Sequence, residues 1–433
     1  MKTTCAMART YLYFFVFSLL LSCDADRSEY ELPLDQITTS FQRDVLNAFY
    51  PRCLDTIAGG YLTNFSDTWQ IEADQNKMLV SQARHLWTTS QMIGYAAREQ
   101  ANWRSYADHG YHFLRDHMWD SVYGGFHQFT NRSGQPLHTD QSKSAYGNAF
   151  ALFALAAYAS QTQNQEAMEL AKQAFVWLDS AFHDPIYGGY FDQEKKYNPQ
   201  KKDYNSSIHL LEAFTSLYEI WPNDTLRSRL AEMLVLVRDT LTSPEGYLRL
   251  YFSPSWQPIR LSEIEWEKDP HADYVSGGHD IETAYLLLEA SAALRGKDDE
   301  QTTEKVAKKM IDHALTHCWD NHKGGLVEMV RYQPNGETQI KDFSKNWWAQ
   351  AEALQVCDLF AQKYPNQPLY ARRALETWLY IQEYMLDPVN GGWYNWGLDT
   401  RPQAKTERKS HAWKCTYHTA RAMMRILKNR PKD

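Results

Sequence analysis

Basic residues are too few and too dispersed in this sequence to form a surface for nucleic acid. The 433 residues include 45 lysines and arginines against 53 aspartates and glutamates, which gives a formal net charge of −8. No cluster of basic residues is interleaved with aromatic residues, so we expect no nucleic-acid partner. Hydrophobic residues make up 43% of the chain and aromatic residues 14%, which is enough to bury a large core.

Cysteine is scarce as well. The sequence has six cysteines, and none of them has the CxxC spacing typical of zinc sites, so we predict neither a metal site nor a disulfide framework. Two of the six lie near the N-terminus, at positions 5 and 23. We expect the others to be buried free thiols, with a disulfide as the open alternative: Cys53, Cys318, Cys357 and Cys415.

A hydrophobic run long enough to span a membrane is also missing. Residues 11–21 are apolar and follow two basic residues, which is typical of a secretory signal peptide. The run ends in Leu-Leu-Ser-Cys, which resembles the bacterial lipobox. We therefore predict a lipoprotein-type signal peptide over 1–22, lipidation of Cys23 and a short tether over 23–33. An ordinary signal peptide is the alternative; either one exports the protein, to the periplasm or the cell surface.

A short glycine-containing phrase recurs through the rest of the chain. Its glycines permit the positive φ angles of a tight turn, and its spacing of 57 to 79 residues divides the sequence into six units. The copies are LDTIAGGY (54–61), WDSVYGGF (119–126), HDPIYGGY (183–190), the degraded TSPEGYL (242–248), WDNHKGGL (319–326) and LDPVNGGW (386–393).

Each unit contains two stretches with helical periodicity, one before the turn and one after it. The stretches after the turns are more continuously apolar, so we predict that they form an inner ring and that the others form an outer ring. Stacked pairs bury a shared core, and six pairs suffice to close a ring. The prediction is an all-α (α/α)6 barrel, a toroid of six helix pairs in a single domain over 34–430. The predicted outer helices are 36–50, 102–118, 166–182, 225–240, 303–318 and 370–386, and the inner helices are 80–98, 144–159, 205–220, 279–296, 346–364 and 413–429.

Polar and aromatic residues gather at the starts of the predicted inner helices. If these helices run in the same direction, their starts meet at one rim and face a common cavity. The set comprises Arg84, His85, Trp87, Lys143, Tyr146, Asn148, Asn205, His209, His279, Asp280, Glu282, Lys345, Trp347, Trp348, Glu352, Trp413, Tyr417 and His418.

Several of these residues suit the transfer of a proton at a carbon atom of a sugar. Histidine titrates near neutral pH, so one imidazole can accept a proton while another donates one. Arg84 can stabilise the oxyanion that forms when a carbon beside a carbonyl is deprotonated, although it can instead pair with a carboxylate. Glu282 lies three residues after His279, on the same helical face, and can orient an imidazole. Tryptophan faces stack on sugar rings, although most of the 15 tryptophans are expected to be structural.

Four segments carry a family resemblance: NSSIHLLEAF (205–214), GHDIETAYLL (278–287), KNWWAQAEAL (345–354) and KCTYH (414–418). They resemble the signatures of the N-acylglucosamine 2-epimerase superfamily and are most similar to its cellobiose and mannobiose 2-epimerase branch. The resemblance covers nearly the whole chain after the signal peptide. Thr416 and Ala349 depart from the pattern, but neither is a candidate proton carrier.

The resemblance implies a cofactor-independent conversion of the reducing-end sugar of a β-1,4-linked disaccharide between glucose and mannose. The ring opens, the C2 proton is removed to leave an enediolate, and a proton returns to the other face. His279 and His418 would be the acid/base pair, and Arg84 would hold the enediolate. His209 would assist ring opening or polarise the carbonyl, and Glu282 would support them. Sugar binding would fall to Tyr146, Asn205, Trp347, Trp348 and Trp413.

Two other functions fit parts of the sequence. An (α/α)6 glycoside hydrolase would need two carboxylates straddling the glycosidic bond, and a noncatalytic surface lipoprotein would capture glycans with its aromatic residues. The long segment 253–276, which includes Trp256 and Trp266, is either a determinant of substrate choice or a passive insertion. We expect a monomer or weak dimer, with a disaccharide as the ligand and the lipid anchor as the one membrane contact.

Overall fold

The helices follow the repeat in the sequence. The computed structural model describes residues 30–96, 99–137, 143–333 and 335–428. The predicted signal peptide, Cys23 and most of the predicted tether lie outside the described residues. No helix in the described ranges combines the length and the apolar character needed to cross a membrane.

Six amphipathic helices form the outer layer of the described chain. In the third of them, Ala167, Leu170, Ala174 and Leu178 are buried at intervals of three or four residues, so one face of the helix packs inward. The outer helices are α1 (Leu34–Ser40, continued by Phe41–Leu46 and Asn47–Phe49), α3 (Gln100–Phe113, continued by Leu114–Met118), α5 (Gln165–Phe182), α7 (Asp224–Leu236, continued by Val237–Leu241), α9 (Glu300–His317) and α11 (Pro368–Tyr380, continued by Ile381–Met385).

Six further helices of the described chain form the inner layer, and they are buried on almost every side. A helix that is covered all round needs small and apolar residues throughout, which explains the alanine-rich sequence of the second inner helix. The inner helices are α2 (Leu79–Tyr95), α4 (Ala145–Thr162), α6 (Tyr204–Ile220), α8 (Gly277–Leu294), α10 (Trp347–Lys363) and α12 (Tyr417–Lys428).

The inner helices close into a ring. Each packs on the next in chain order, and α12 returns to pack on α2. At this closure the Tyr417 ring meets Trp87 edge-on at 5.2 Å, and the hydroxyl oxygens of Thr416 and Thr88 lie 3.0 Å apart. The predicted (α/α)6 barrel is therefore confirmed. The predicted start of the last inner helix at residue 413 is wrong, because residues 411–416 form a turn and α12 begins at Tyr417.

The glycine turns share one set of polar contacts. In the second turn, Asp120 Oδ1 accepts hydrogen bonds from the backbone N–H groups of Val122 and Tyr123, each at 3.0 Å, while Oδ2 binds the buried Lys143 Nζ at 2.8 Å. The lysine comes from the segment just before the inner helix, so it ties that helix to the turn. The same aspartate–lysine pair recurs as Asp55 with Lys77, Asp184 with Lys202, Asp320 with Lys345, and Asp387 with Lys409.

The fourth turn lacks this ion pair. Ser243 occupies the aspartate position, and Val275 occupies the position two residues before the inner helix. The Ser243 hydroxyl oxygen accepts hydrogen bonds from backbone N–H groups of the turn instead. Sequence reasoning placed Lys143 and Lys345 at the rim of the cavity, which is wrong, because both side chains belong to the turns.

Short strands and single turns complete the described chain. The strands form three antiparallel pairs. A short helix, Glu263–Lys268, lies in the long segment before α8. The four described cysteines are free and buried, as predicted. The strand pairs are β1 (Lys77–Met78) with β2 (Phe129–Thr130), β3 (Lys202–Asp203) with β4 (Tyr251–Phe252), and β5 (Met329–Tyr332) with β6 (Thr338–Asp342).

Candidate active site

A cavity of about 200 Å³ lies where the inner helices begin. All ten residues proposed from the sequence for catalysis and sugar binding line this cavity, together with Asn346, which sequence reasoning missed. The lining residues are Arg84, Tyr146, Asn205, His209, His279, Glu282, Asn346, Trp347, Trp348, Trp413 and His418.

The three histidines occupy the first two turns of three inner helices, and each has a partner for its Nδ1 atom. His209 Nδ1 lies 3.0 Å from Glu212 Oε2, and His418 Nδ1 lies 2.7 Å from Glu352 Oε1. His279 Nδ1 lies 2.8 Å from the hydroxyl oxygen of Ser276. Two of the imidazoles therefore have a carboxylate partner, whereas the third has a neutral hydroxyl. Nε2 of His209 and of His418 is left for a ligand, whereas Nε2 of His279 lies 3.4 Å from the Tyr204 hydroxyl oxygen.

Burial favours the neutral form of the two histidines proposed as proton carriers. It lowers the pKa of His279 to about 3, helped by the positive charge of Arg84. Burial also lowers the pKa of His418 well below the ordinary value, although Glu282 acts in the opposite direction. Both rings are therefore unprotonated at neutral pH.

Arg84 is a buried cation that is free to meet an anion in the cavity. Its side chain is 5% exposed, donates to the Tyr146 hydroxyl at 3.1 Å and to the carbonyl of Trp413 at 3.4 Å, and lies over the Phe150 ring. Among the described residues, no carboxylate forms an ion pair with it, so the alternative of a simple salt bridge is wrong. A buried guanidinium without a carboxylate partner can stabilise negative charge that develops beside it.

Aromatic side chains form one wall of the cavity. The Trp348 ring contacts two histidines, with its centroid 4.5 Å from that of His279 and 5.6 Å from that of His418. Trp347 is buried, whereas Trp413 is 50% exposed and lies at the mouth, in the turn before α12 rather than on a helix as predicted. Neither Trp256 nor Trp266, from the long segment 253–276, lines the cavity.

Some polar atoms of the cavity lining have no partner within the protein. Asn205 Oδ1, Asn346 Oδ1 and Trp347 Nε1 are buried, and none of them forms a hydrogen bond to another described residue. Buried polar groups normally have hydrogen-bond partners, so these atoms are suited to a ligand that brings its own donors and acceptors. A polyol meets that requirement.

Glu282 does not support the histidine on its own helix. Its Oε1 lies 3.9 Å from Nδ1 of His418 across the ring, and Arg421 Nη2 donates to it at 2.5 Å. The expected contact with His279 is therefore replaced by contacts with α12. Arg421 Nη2 also donates to Glu352 Oε1 at 2.6 Å.

The position of the Arg421 guanidinium is unfavourable for two other kinds of site, a metal site and a hydrolase active site. Glu282, Glu352 and His418 bring possible metal-ligand atoms within 4.8 Å of one another, but Arg421 already supplies a cation between the two carboxylates. The two carboxylates are also unsuited to a hydrolase, since both bind one nitrogen atom instead of straddling a bond.

Sequence reasoning missed the partners of the histidines. Glu212 and Arg421 were not proposed, and Glu352 was placed at the rim without a role in the epimerase. A signal was present, because Glu212 follows His209 by three residues and Arg421 follows His418 by three residues, the same spacing as His279 and Glu282. On a helix this spacing places two side chains on one face.

Neutral imidazoles beside an unpaired guanidinium, inside an (α/α)6 barrel, define a site for proton transfer. Residues 60–422 match the sequence model of the N-acylglucosamine 2-epimerase family, and the chain belongs to this family. It is an isomerase of the epimerase type.

Curated relatives match over nearly their whole length. The cellobiose 2-epimerase of Bacteroides fragilis is 27% identical over 400 residues, which cover 88% of this chain and 95% of that protein. The cellobiose 2-epimerase of Dictyoglomus turgidum is 26% identical over 399 residues, covering 88% and 94%. Among solved structures, the cellobiose 2-epimerase of Spirochaeta thermophila is 26% identical and superimposes with a TM-score of 0.78, covering 94% of this chain and 98% of that one.

Proposed function

We propose that this protein epimerises C2 of the reducing-end sugar of a β-1,4-linked disaccharide, such as cellobiose or mannobiose, without a cofactor. The observation that carries the proposal is that His279 and His418 both contact the Trp348 ring and line the cavity that also holds the unpaired Arg84. The names of the relatives support the substrate class.

The proposed reaction moves one proton off C2 and one proton back. After the ring opens, Nε2 of one histidine takes the C2 proton, and the electron pair of the C–H bond passes to the carbonyl oxygen to form an enediolate. Arg84 stabilises that negative charge. The other histidine, which carries a proton on Nε2 at this stage, delivers it to the opposite face of C2, and the enediolate collapses to the epimeric aldehyde. The two imidazoles then return to their starting protonation states by proton exchange with solvent. His209 is proposed to assist ring opening.

Space beside the cavity supports a disaccharide in preference to a single sugar. A groove of about 820 Å³ is lined by polar side chains that include Asn395 and Glu407, and also by His411 and Ala412. The last two residues directly precede Trp413 at the mouth of the cavity, and the Asn395 carbonyl accepts a hydrogen bond from the backbone N–H of Trp347 at 3.2 Å. We propose that the second sugar extends past Trp413 into this groove.

An incubation in D2O tests the proposal. Purified protein is mixed with cellobiose or mannobiose, and the products are followed by NMR. We expect a disaccharide with an intact glycosidic bond, an inverted C2 at the reducing end and deuterium at that carbon. Free monosaccharides would indicate a hydrolase, and an unchanged sugar with no deuterium would indicate a glycan-binding protein; either result would overturn the proposal.

We also propose that the protein is exported and anchored through a lipid on Cys23. The lipobox-like sequence before that residue supports this proposal. Metabolic labelling with an alkynyl fatty acid should tag the wild-type protein in the membrane fraction and leave the Cys23→Ala variant untagged. Equal labelling of the two proteins would refute lipidation at this position.

A further inference from the structure

An arginine on the last inner helix connects the carboxylates that stand behind two of the three histidines. Arg421 Nη1 donates to Glu212 Oε1 at 2.6 Å, and Nη2 donates to Glu352 Oε1 at 2.6 Å. These two glutamates are the partners of His209 Nδ1 and His418 Nδ1. A continuous chain of contacts therefore runs from one imidazole through the guanidinium to the other.

The chain of contacts is buried and charged throughout. Arg421 is 2% exposed, and its three glutamate partners come from three different inner helices, Glu212 on α6, Glu282 on α8 and Glu352 on α10. The Tyr417 hydroxyl also contacts both Glu212 and the guanidinium. Three buried carboxylates this close to one another repel, and they are retained in ionised form only if a cation lies between them.

We propose that Arg421 is a positioning residue for the epimerisation proposed above: it keeps Glu352 and Glu212 ionised and oriented, so that His418 and His209 hold their protons on Nδ1 and present Nε2 to the sugar. The inference rests on the proposed function for its kinetic tests. It assigns Arg421 no contact with the substrate, because Arg421 does not line the catalytic cavity.

The electrostatics of the two glutamates agree with this role. Burial acts against ionisation of Glu212, yet Arg421 and His209 together lower its pKa to about 2. Burial raises the pKa of Glu352, and Arg421 is the strongest influence that opposes the rise. Removing the guanidinium should therefore let Glu352 take up a proton at a higher pH than in the wild type.

His418 faces charged or titratable groups from five inner helices, its own included. They are Glu352 on α10, Glu282 on α8, Arg84 on α2, His209 on α6 and Arg421 on its own helix. Within this set the guanidinium alone forms ion pairs with both Glu282 and Glu352, so its loss leaves two carboxylates beside the imidazole without their cation.

The main test replaces Arg421 by alanine and measures kcat, KM and the pH dependence of kcat. We expect kcat to fall about 100-fold, as for a small misplacement of catalytic groups, with KM changed less than about threefold. The acidic limb of the pH profile should move to higher pH, because the carboxylates lose their cation and protonate sooner. Wild-type kcat and pH profile in this variant would overturn the inference.

A matched control lies one helical turn further along α12. Arg425 is bonded to Glu289, which is not a partner of any of the three histidines. The Arg425→Ala variant should keep kcat within about twofold of wild type, since it removes a guanidinium that is hydrogen-bonded to Glu289 and only acts on Glu212 from a distance, and it leaves the ion pairs of Arg421 in place. An equal loss of kcat in both variants would overturn the positioning role and indicate a general effect on α12.

Chemical rescue separates positioning from simple structural support. A cavity of about 260 Å³ on the side of the ring away from the catalytic cavity is lined by Arg421, Glu212 and Ser216. Ethylguanidinium added to the Arg421→Ala variant has access to the vacated site through this cavity, and we expect it to restore kcat, whereas the neutral analogue ethylurea should not. Restoration by both compounds, or by neither, would overturn the charge-based role.

A spectroscopic measurement separates this inference from the proposed function. Nitrogen NMR of the imidazoles reports whether Nδ1 or Nε2 carries the proton, in protein without sugar. We expect His418 and His209 to carry it on Nδ1 in the wild type and to lose that preference in the Arg421→Ala variant. If the wild type epimerises no disaccharide, the proposed function fails, while an unchanged tautomer in the variant refutes the role of Arg421 alone.

Discussion

The glycine turns and the starts of the inner helices lie next to each other, yet one region repeats and the other does not. Five turns use the same aspartate–lysine ion pair. The adjoining helix starts carry polar residues that vary from unit to unit, including Arg84, Tyr146 and His279. The repeated ion pairs stabilise the backbone of the turns, and the candidate catalytic residues lie at positions where the residue type is not repeated.

Replacing His418 by asparagine should have the largest effect, and it acts on the non-repeating region. Loss of a general acid/base group costs about 10²–10⁴-fold in kcat, and the free energy of unfolding should change little, because Asn can still donate to Glu352. Activity and urea denaturation measure the two quantities. His313→Asn is the control, since His313 lies on the outer helix α9 and does not line the cavity. Equal kcat values for these two variants would contradict the role of His418.

Replacing Asp387 by alanine acts on the repeating region. Lys409 is 1% exposed and binds Asp387 Oδ2 at 2.6 Å, so the variant leaves a buried ammonium group without its carboxylate. We expect the free energy of unfolding to fall by about 3–5 kcal/mol, with kcat of the folded fraction unchanged. Urea denaturation measures the loss.

The fourth turn supplies the control for that experiment. Ser243 stands where the other turns have aspartate, and no buried lysine depends on it. Ser243→Ala should therefore lower the free energy of unfolding by about 1 kcal/mol. Losses of the same size for Asp387→Ala and Ser243→Ala would mean that the ion pair does not stabilise the turn.

The helices and turns of the repeating region could be predicted from the sequence, but the aspartate–lysine ion pairs could not, and Lys143 and Lys345 were assigned to the rim instead. The prediction of a helix over 166–182 matches α5, Gln165–Phe182, because the turn after it and the apolar period within it are both local signals. The last inner helix begins four residues later than predicted. There, an irregular stretch that includes the 3-10 turn Pro402–Thr406 separates the sixth glycine turn from the helix, and periodicity did not fix its end.

The candidate site could be predicted only as a set of residues. The residues at the helix starts do meet in one cavity, since parallel inner helices bring their starts together. Their partners could not be assigned, because Glu282 contacts Arg421 across the ring while the i, i+3 rule pairs it with His279. Contacts across a closed ring depend on its diameter and on the rotation of each helix, which a single sequence does not specify.

Two buried histidines near the starts of inner helices, His85 and His279, differ in whether they line the cavity. Burial lowers the pKa of His85 to about 3, as it does for His279, but His85 binds the Tyr50 hydroxyl and does not line the cavity. In the unfolded chain His85 takes up a proton near pH 6.5, whereas in the folded protein the buried ring stays neutral at that pH. The free energy of unfolding is therefore unaffected by this linkage well above pH 6.5 and decreases as the pH falls below it.

Replacing His85 by glutamine removes this proton linkage. Between pH 6.5 and pH 5 its contribution amounts to about 2 kcal/mol, so the variant should lose that much less stability than the wild type over this range. Its kcat should be unchanged. Denaturation at both pH values measures the difference, and an identical pH slope for the two proteins would mean that the His85 ring is protonated in the folded state.

The smallest expected effects on kcat and stability concern two serines, each directly before an inner helix. The Ser144 hydroxyl oxygen caps α4 by accepting a hydrogen bond from the backbone N–H of Gly147 at 3.0 Å. The Ser276 side chain makes no such cap on α8 and instead contacts His279 Nδ1 at 2.8 Å.

Ser276→Ala should therefore lower kcat about fivefold, the value of one hydrogen bond of about 1 kcal/mol, and leave stability unchanged. Ser144→Ala should lower stability by about 1 kcal/mol and leave kcat unchanged. If Ser276→Ala instead lowers stability alone, the serine is a helix cap and His279 is oriented by Tyr204, whose hydroxyl lies 3.3 Å from the same nitrogen.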